Sequence, residues 1–247
     1  MNVGQIYRAA LRGYRRQLGR YLILSFPARS ILSLLLWLPL QFSSPPSDMF
    51  VSTVLSISLL SILLAPPLVA PFPIAGFMYE RLGFRSDLLA PFRRLSKLLF
   101  PLLGSFIIWA VYVTLGLMLF LLPGFLIYVR YLLTSSVIVV EGEGGYGAIR
   151  RGKMIMEGEF RRGAVVVLLP VMAEVLISLF ISTPAAYLEG RTSFGGGWEY
   201  LSFGFLIPLL FDPVIALLSV FLYLDIRCQK EGLSEEMLRM DFMEMER

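Results

Sequence analysis

Four ionisable residues lie inside otherwise apolar segments of this sequence: Arg29, Arg130, Glu174 and Asp212. A charge at the centre of a lone membrane helix costs about 2.5–3.5 kcal/mol on the insertion scale, so such side chains should face one another rather than lipid. Two acids and two arginines in this setting can form buried ion pairs, or they can form a polar site for a proton, an ion or a lipid headgroup.

Depth along the apolar segments predicts which of the four residues pair. At a rise of about 1.5 Å per residue, all four lie at a similar distance from the predicted helix ends. Arg130 is the better match for Glu174, and Arg29 with Asp212 is the looser match. Two interpretations remain open: ion pairs that decide which helices pack together, or a functional polar site.

Composition excludes several other kinds of chemistry. The chain contains no histidine, and its one cysteine is Cys228. Catalytic triads built on histidine, zinc sites built on histidine or clustered cysteines, and an intrachain disulfide are therefore excluded. We predict no catalytic site, no metal and no cofactor.

These four charges lie within apolar blocks that are long enough to span a membrane. The chain is 57% hydrophobic and 16% charged, with a mean hydropathy of +0.73, whereas soluble domains are about 25% charged. A helix of about 20 apolar residues crosses the core of a bilayer. We predict an all-α, polytopic transmembrane helix bundle with six spans, at residues 21–41, 49–79, 98–122, 125–140, 163–187 and 201–224.

Prolines mark the places where these spans should bend or turn. Pro123-Gly124 predicts a tight turn between the third and fourth spans. Four prolines in the second span remove backbone donors, which predicts a kinked or broken helix, either as a packing feature or as the wall of a cavity. These prolines are Pro66, Pro67, Pro71 and Pro73.

Basic segments flank the spans. Residues 1–20 form a predicted amphipathic interfacial helix, and similar basic helices are expected within 80–97 and 146–162. The membrane domain covers 21–232, and the tail at 233–247, rich in methionine and glutamate, is either a short helix or a solvated end. The net charge is +4, and the basic residues lie beside apolar blocks. We therefore expect contacts with anionic lipid headgroups and not with nucleic acid.

The positions of the 22 lysines and arginines predict the orientation. Nearly all of them lie in the N-terminal segment, in residues 80–97, in residues 141–162 and in the C-terminal tail, whereas the opposite loops contain Arg191. Because basic loops stay in the cytoplasm, we predict a multi-pass plasma membrane protein with both termini cytoplasmic.

Several short motifs and the closing segment of the chain carry a family resemblance. Together they resemble the membrane domain of glycerophosphoryl diester phosphodiesterases and its stand-alone relatives. The motifs are Leu122-Pro123-Gly124 with Tyr128 and Arg130, Val139-Val140-Glu141-Gly142, Ala148-Ile149-Arg150-Arg151 and Glu157-Gly158-Glu159-Phe160-Arg161-Arg162. The closing segment contributes Leu222-Tyr223-Leu224-Asp225-Ile226-Arg227 and Lys230-Glu231-Gly232.

The resemblance implies a multi-span membrane module with cytoplasmic amphipathic helices. It implies no phosphodiesterase activity, because the family's catalytic histidines and metal-binding carboxylates belong to a separate barrel domain and this chain has no histidine. Gly152 and Met156 stand where the family pattern has serine and threonine, so no hydroxyl contact is expected there. The motif positions are Pro123, Gly124, Arg130, Glu141, Arg151 and Gly158.

Three classes of function remain. The first is a non-enzymatic module of envelope or lipid homeostasis that binds lipid, a membrane protein partner or a second copy of itself. The second is a transporter or channel subunit that uses the four charges within the spans. The third is a membrane-embedded lipid enzyme, which would have only Glu174 and Asp212 for acid–base chemistry. We expect the first.

Overall fold

The structure, a computed structural model, describes residues 2–43, 68–84, 88–119, 121–189 and 197–244. Within these residues every regular element is a helix. Most of the predicted second span, residues 49–67, lies outside them. The helices are α1 (Val3–Arg16), α2 (Leu18–Ser43), α3 (Pro71–Arg81), α4 (Ala90–Lys97), α5 (Leu99–Leu119), α6 (Leu121–Arg130), α7 (Thr134–Glu141), α8 (Gly145–Met156), α9 (Phe160–Glu189), α10 (Gly197–Glu231) and α11 (Glu235–Glu244).

Apolar helices dominate the described chain. Four stretches are long and apolar enough to cross a membrane: Leu18–Leu35, Leu99–Gly116, Pro123–Glu141 and Phe205–Glu231. The 30 residues of α9 include the predicted fifth span, and at about 1.5 Å per residue this helix exceeds the bilayer core of about 30 Å. The chain is therefore an all-α protein with helices suited to a membrane.

The predicted fourth span, 125–140, is a pair of helices rather than one. The first of them, α6, ends at Arg130, and α7 begins at Thr134. Between them the backbone tightens, because Leu132 N–H donates to the Val129 carbonyl and Thr134 N–H donates to the Tyr131 carbonyl. Such bonds to the third preceding residue are typical of helix ends.

Pro123 and Gly124 lie within α6, which corrects the prediction of a tight turn there. Proline is tolerated in the first turn of a helix because its missing N–H has no intrahelical partner at that position. Gly116 on α5 lets the two helices approach closely, because a Cβ added to it would lie 3.0 Å from the Gly124 Cα. Gly124 therefore lies at a close contact between α5 and α6 rather than in a turn.

Helix α10 lies at the centre of the bundle and packs against α1, α2, α3 and α9. Helix α1 docks on it through Ile6, Ala10 and Tyr14, which are buried. The tail forms α11, which packs on α7 and buries Leu238 and Phe242. Both ends of the described chain are therefore parts of the folded bundle.

Candidate functional site

Three charges from three helices meet inside the bundle. We call Arg29 on α2, Glu174 on α9 and Asp212 on α10 the buried charge cluster. Arg29 Nη1 lies 3.3 Å from Asp212 Oδ2, with the two side chains 0% and 4% exposed. The structure thus brings together the pair that depth counting had matched more loosely.

Glu174 adds a second acid to this cluster. It is 1% exposed, and neither of its carboxylate oxygens has a hydrogen-bond partner in the described part of the chain. It lies within electrostatic range of Asp212 and Arg29. The hydroxyl of Tyr128 is also buried without a hydrogen-bond partner there, and it lies within range of both acids. The cluster therefore has two acids for one arginine.

Arg130 lies apart from the buried charge cluster, which corrects the predicted pairing with Glu174. Its side chain is exposed, whereas Tyr128 and Val129 immediately before it are buried. Successive helical residues point in different directions, so similar depth does not ensure a shared face. Arg130 is also the last residue of α6, where the backbone leaves its helical path.

A second group of charges, the ion-pair network, begins with Glu141 at the end of α7. Its carboxylate accepts hydrogen bonds from the Tyr223 hydroxyl at 2.6 Å and from Arg151 Nε at 2.8 Å. Arg151 also pairs with Glu231 at 2.7 Å. Burial acts to lower the pKa of Arg151, but the hydrogen bonds to Glu231 and Glu141 outweigh it, so the pKa lies above its ordinary value.

The ion-pair network continues through Arg227 to the last helix. Arg227 Nε donates to Glu231 at 2.8 Å. Its Nη1 donates to Asp241 at 3.0 Å and to the Tyr223 hydroxyl at 2.9 Å. Hydrogen bonds to charged partners are the stronger kind, so this network ties α7, α8, α10 and α11 together.

Some of the positions marked by the family resemblance belong to this network. Glu141 and Arg151 meet within it, whereas Pro123 and Gly124 lie in α6. Gly158 connects α8 to α9 with φ at +83°, a left-handed conformation that glycine adopts without steric cost. Arg227 and Glu231 belong to the closing segment that carries the resemblance, but their pairing with each other and with Asp241 was not predicted, although the spacing of the first two by one helical turn was an available signal.

Arg94 on α4 is a further residue whose role sequence reasoning did not predict. It is 4% exposed and donates to the Val139 carbonyl at 2.8 Å and to the Phe242 carbonyl at 2.8 Å. Its guanidinium also lies 3.5 Å from the centroid of the Phe242 ring. This residue, expected to face lipid headgroups, instead joins α4 to α7 and α11.

An open cavity of about 950 Å³ lies where α1 meets α2, α3 and α10. We call it the arginine groove. Four arginines and a single acid, Glu80, contribute its charges, and three aromatic rings contribute its floor. Its lining residues are Ala9, Arg12, Gly13, Arg15, Arg16, Tyr21, Phe77, Glu80, Arg81 and Phe221.

The arginines of the groove are available for a ligand. All four side chains are exposed, and none forms an ion pair with any residue in the described ranges. Glu80 accepts a hydrogen bond from the Tyr21 hydroxyl at 3.4 Å. The groove therefore presents excess positive charge above an aromatic floor, which suits a ligand with a negative end and an apolar end.

Among the described residues, no three acidic or cysteine side chains are close enough together to hold a metal ion. Comparison with known proteins adds no family: no family model, curated protein or solved structure matches this chain. The fold and sites define the class, an all-α protein with apolar helices of membrane-crossing length and charges both inside and outside the bundle.

Proposed function

We propose that this protein is a non-enzymatic integral membrane module that binds lipid at its cytoplasmic face and serves envelope or lipid homeostasis. The proposal includes six spans, a plasma membrane location, cytoplasmic termini and kinship with the membrane domain of glycerophosphoryl diester phosphodiesterases. The observation that carries it is the basic surface of α1, a helix held against the bundle by buried side chains and hydrogen bonds.

Helix α1 is fixed to the bundle along its buried side. Ile6 and Ala10 are 0% exposed. The Tyr7 hydroxyl donates to the Val166 carbonyl at 2.7 Å, and the Tyr14 hydroxyl donates to the Leu210 carbonyl at 2.9 Å. Burial raises the pKa of Tyr7 to about 12, so this hydroxyl keeps its proton and remains a donor even in mildly alkaline solution. These contacts give the arginines of α1 a defined position.

The other side of α1 carries positive charge that no described acid neutralises. Its side chains Arg8, Arg12, Arg15 and Arg16 are exposed. Elsewhere, Arg151 and Arg227 are already paired with acids. An anionic membrane surface attracts each nearby arginine by about 1 kcal/mol. The distribution of free and paired arginines therefore supports a lipid-binding surface on α1.

Native mass spectrometry of the full chain, extracted in mild detergent from its membrane, tests this function. The copurifying lipids should contain a larger share of anionic phospholipid than the surrounding membrane does. A matched variant with Arg8→Gln and Arg15→Gln should reduce that enrichment. Bound lipid with the composition of the bulk membrane would contradict the proposed function.

The proposed threading has its own test, which uses the scarcity of cysteine. Cys228 is exposed, and a Cys228→Ser background leaves no other thiol. Single substitutions Met154→Cys on α8 and Ser234→Cys before α11 should react with a membrane-impermeant maleimide only after cells are opened. Labelling of either position in intact cells would overturn the proposed orientation.

A second candidate function, a transporter or channel subunit, is favoured by Glu174. A buried carboxylate without a hydrogen-bond partner in the described chain is a common feature of ion and proton pathways. If this function is correct, proteoliposomes that contain the protein should show a proton or ion flux, and Glu174→Gln should abolish it. Flux equal to that of protein-free vesicles would exclude it.

A further inference from the structure

We infer that the arginine groove binds one anionic phospholipid, with its phosphate held by the arginines and the start of an acyl chain on the aromatic floor. The inference deepens the proposed function, on which it rests, by naming the site and the ligand. It is distinct from a general attraction of α1 to charged membranes, because it requires a defined cavity.

Charge is the first argument for this ligand. Arg12, Arg15, Arg16 and Arg81 surround a space that contains one carboxylate, Glu80. A guanidinium donates two parallel N–H groups to phosphate oxygens, and such charge-assisted bonds are stronger than neutral ones. Arg12 Nε donates to the Arg8 carbonyl at 3.1 Å, which leaves its two terminal nitrogens to donate to a ligand.

The floor of the groove is the second argument, since it favours a lipid over a soluble anion. Tyr21 is 0% and Phe77 8% exposed, and Phe221 is half-buried. A phosphate ion alone, or glycerol phosphate, would use neither these rings nor most of a cavity of about 950 Å³. An acyl chain fits both features, because apolar surface removed from water contributes about 25 cal/mol per Å².

The surroundings of the floor supply the third argument. Tyr21 and Phe221 belong to α2 and α10, and both helices include a stretch that is apolar enough to cross a membrane. On α2 the side chains of Ile23 and Phe26, 55% and 52% exposed, lie within about one and a half helical turns of Tyr21. The helix that contributes Tyr21 to the floor therefore also carries exposed apolar surface, which a phospholipid tail requires.

The fourth argument is that several arginines outside the groove already have partners within the protein. Arg94 binds backbone carbonyls inside the fold, and Arg151, Arg162 and Arg227 are bound to carboxylates. Basic residues are abundant in the sequence, yet these are already satisfied. The groove is where several exposed arginines and an apolar floor come together in the described structure.

Titration of purified full-length protein with phosphatidylglycerol, followed by native mass spectrometry, tests the inference. The double variant Arg12→Gln/Arg81→Gln should weaken binding of one phosphatidylglycerol roughly tenfold or more, since two charge-assisted contacts are lost. The matched control Arg150→Gln/Arg161→Gln removes the same charge from exposed positions outside both the groove and α1 and should weaken it less than about twofold. Equal losses in both double variants would overturn the inference.

A pair of glycines on α1 gives a second test that does not depend on arginine. Gly13 lines the groove, Gly4 does not, and a Cβ added at either position meets nothing within 4 Å. Gly13→Glu should therefore fold normally, fill the groove and repel phosphate, with at least tenfold weaker binding, whereas Gly4→Glu should bind as the wild type does. Similar affinities of the two variants would contradict a defined cavity.

The controls separate this inference from the proposed function. Wild-type protein should prefer phosphatidylglycerol to phosphatidylcholine and should not bind glycerol phosphate at the same concentration. Glycerol phosphate bound as tightly as the lipid would overturn the lipid assignment and indicate a soluble anion. Enrichment of anionic lipid that survives in Gly13→Glu would refute the groove and keep the function, whereas no enrichment in the wild type would refute both.

Discussion

The buried charge cluster and the ion-pair network differ in how completely their charged groups are paired. In the cluster Arg29 has a carboxylate partner, Asp212, at 3.3 Å, and nearby Glu174 has no hydrogen-bond partner among the described residues. In the network Glu141 receives two hydrogen bonds, and Arg151 has two acid partners. The comparison shows that burial increases the stability cost of losing a single partner, whereas in the network the stabilisation is distributed over several hydrogen bonds.

The largest effect is expected from Arg29→Met, which removes the positive charge of the cluster and leaves two buried acids. Breaking a buried pair costs about 3–5 kcal/mol because an uncompensated charge remains. Unfolding in mixed micelles, followed by tryptophan fluorescence, should show this loss. Arg130→Met is the matched control, and its exposed side chain should change stability by only about 0.5 kcal/mol. Equal losses would break the comparison.

Arg94→Met should have the next largest effect. It removes the donors that satisfy the Val139 and Phe242 carbonyls, and each lost hydrogen bond from a charged donor is worth about 1.5–3 kcal/mol. Because both bonds come from one guanidinium, their contributions do not add in full, so we expect a stability loss of about 2–4 kcal/mol, together with faster amide hydrogen exchange in α11. Unchanged exchange in α11 would show that Arg94 does not hold this helix.

A smaller loss, about 1 kcal/mol, is expected for Arg151→Lys. Lysine keeps the charge but loses the paired N–H groups that reach Glu141 and Glu231 together. Arg151 is 23% exposed, so salt should screen its contribution, and the difference from wild type should shrink in 1 M salt, where the Debye length falls to about 3 Å. The loss in Arg29→Met should not shrink, and identical salt dependence would remove the distinction between the two regions.

The smallest effect is expected for Glu174→Gln, and its sign is informative. Removing the excess acid relieves repulsion with Asp212, so stability should stay within about 1 kcal/mol of wild type or rise slightly. Asp212→Asn is the control, and it should destabilise because it removes the partner of Arg29. If Glu174→Gln is as harmful as Asp212→Asn, Glu174 must be a necessary counter-charge of the cluster.

Much of the architecture was predictable because it depends on local properties. The apolar blocks predicted α2, α5, α9 and α10, since hydrophobicity sums along the chain. Depth counting also matched Arg29 with Asp212, although they are 183 positions apart. It failed for Arg130 because the side chain that faces the buried acids from α6 is that of Tyr128.

Whether an individual arginine is buried and paired or stays exposed could not be predicted in this way. Arg94 and Arg12 both lie in short basic helices beside apolar segments, yet Arg94 is buried against carbonyls and Arg12 lines an open groove. The difference comes from α7 and α11, which cover Arg94. Helices distant in sequence, rather than neighbouring residues, decide which charges remain free.

The sequence by itself determined that this chain forms apolar helices of membrane-crossing length, that it contains no histidine-based site and no intrachain disulfide, and that a few charges lie within the apolar segments. Only the tertiary structure decided which charges pair, which arginines stay available and where a cavity opens. The physical reason is that apolar character belongs to each residue, whereas ion pairs and cavities depend on the relative rotation and contact of helices far apart along the chain.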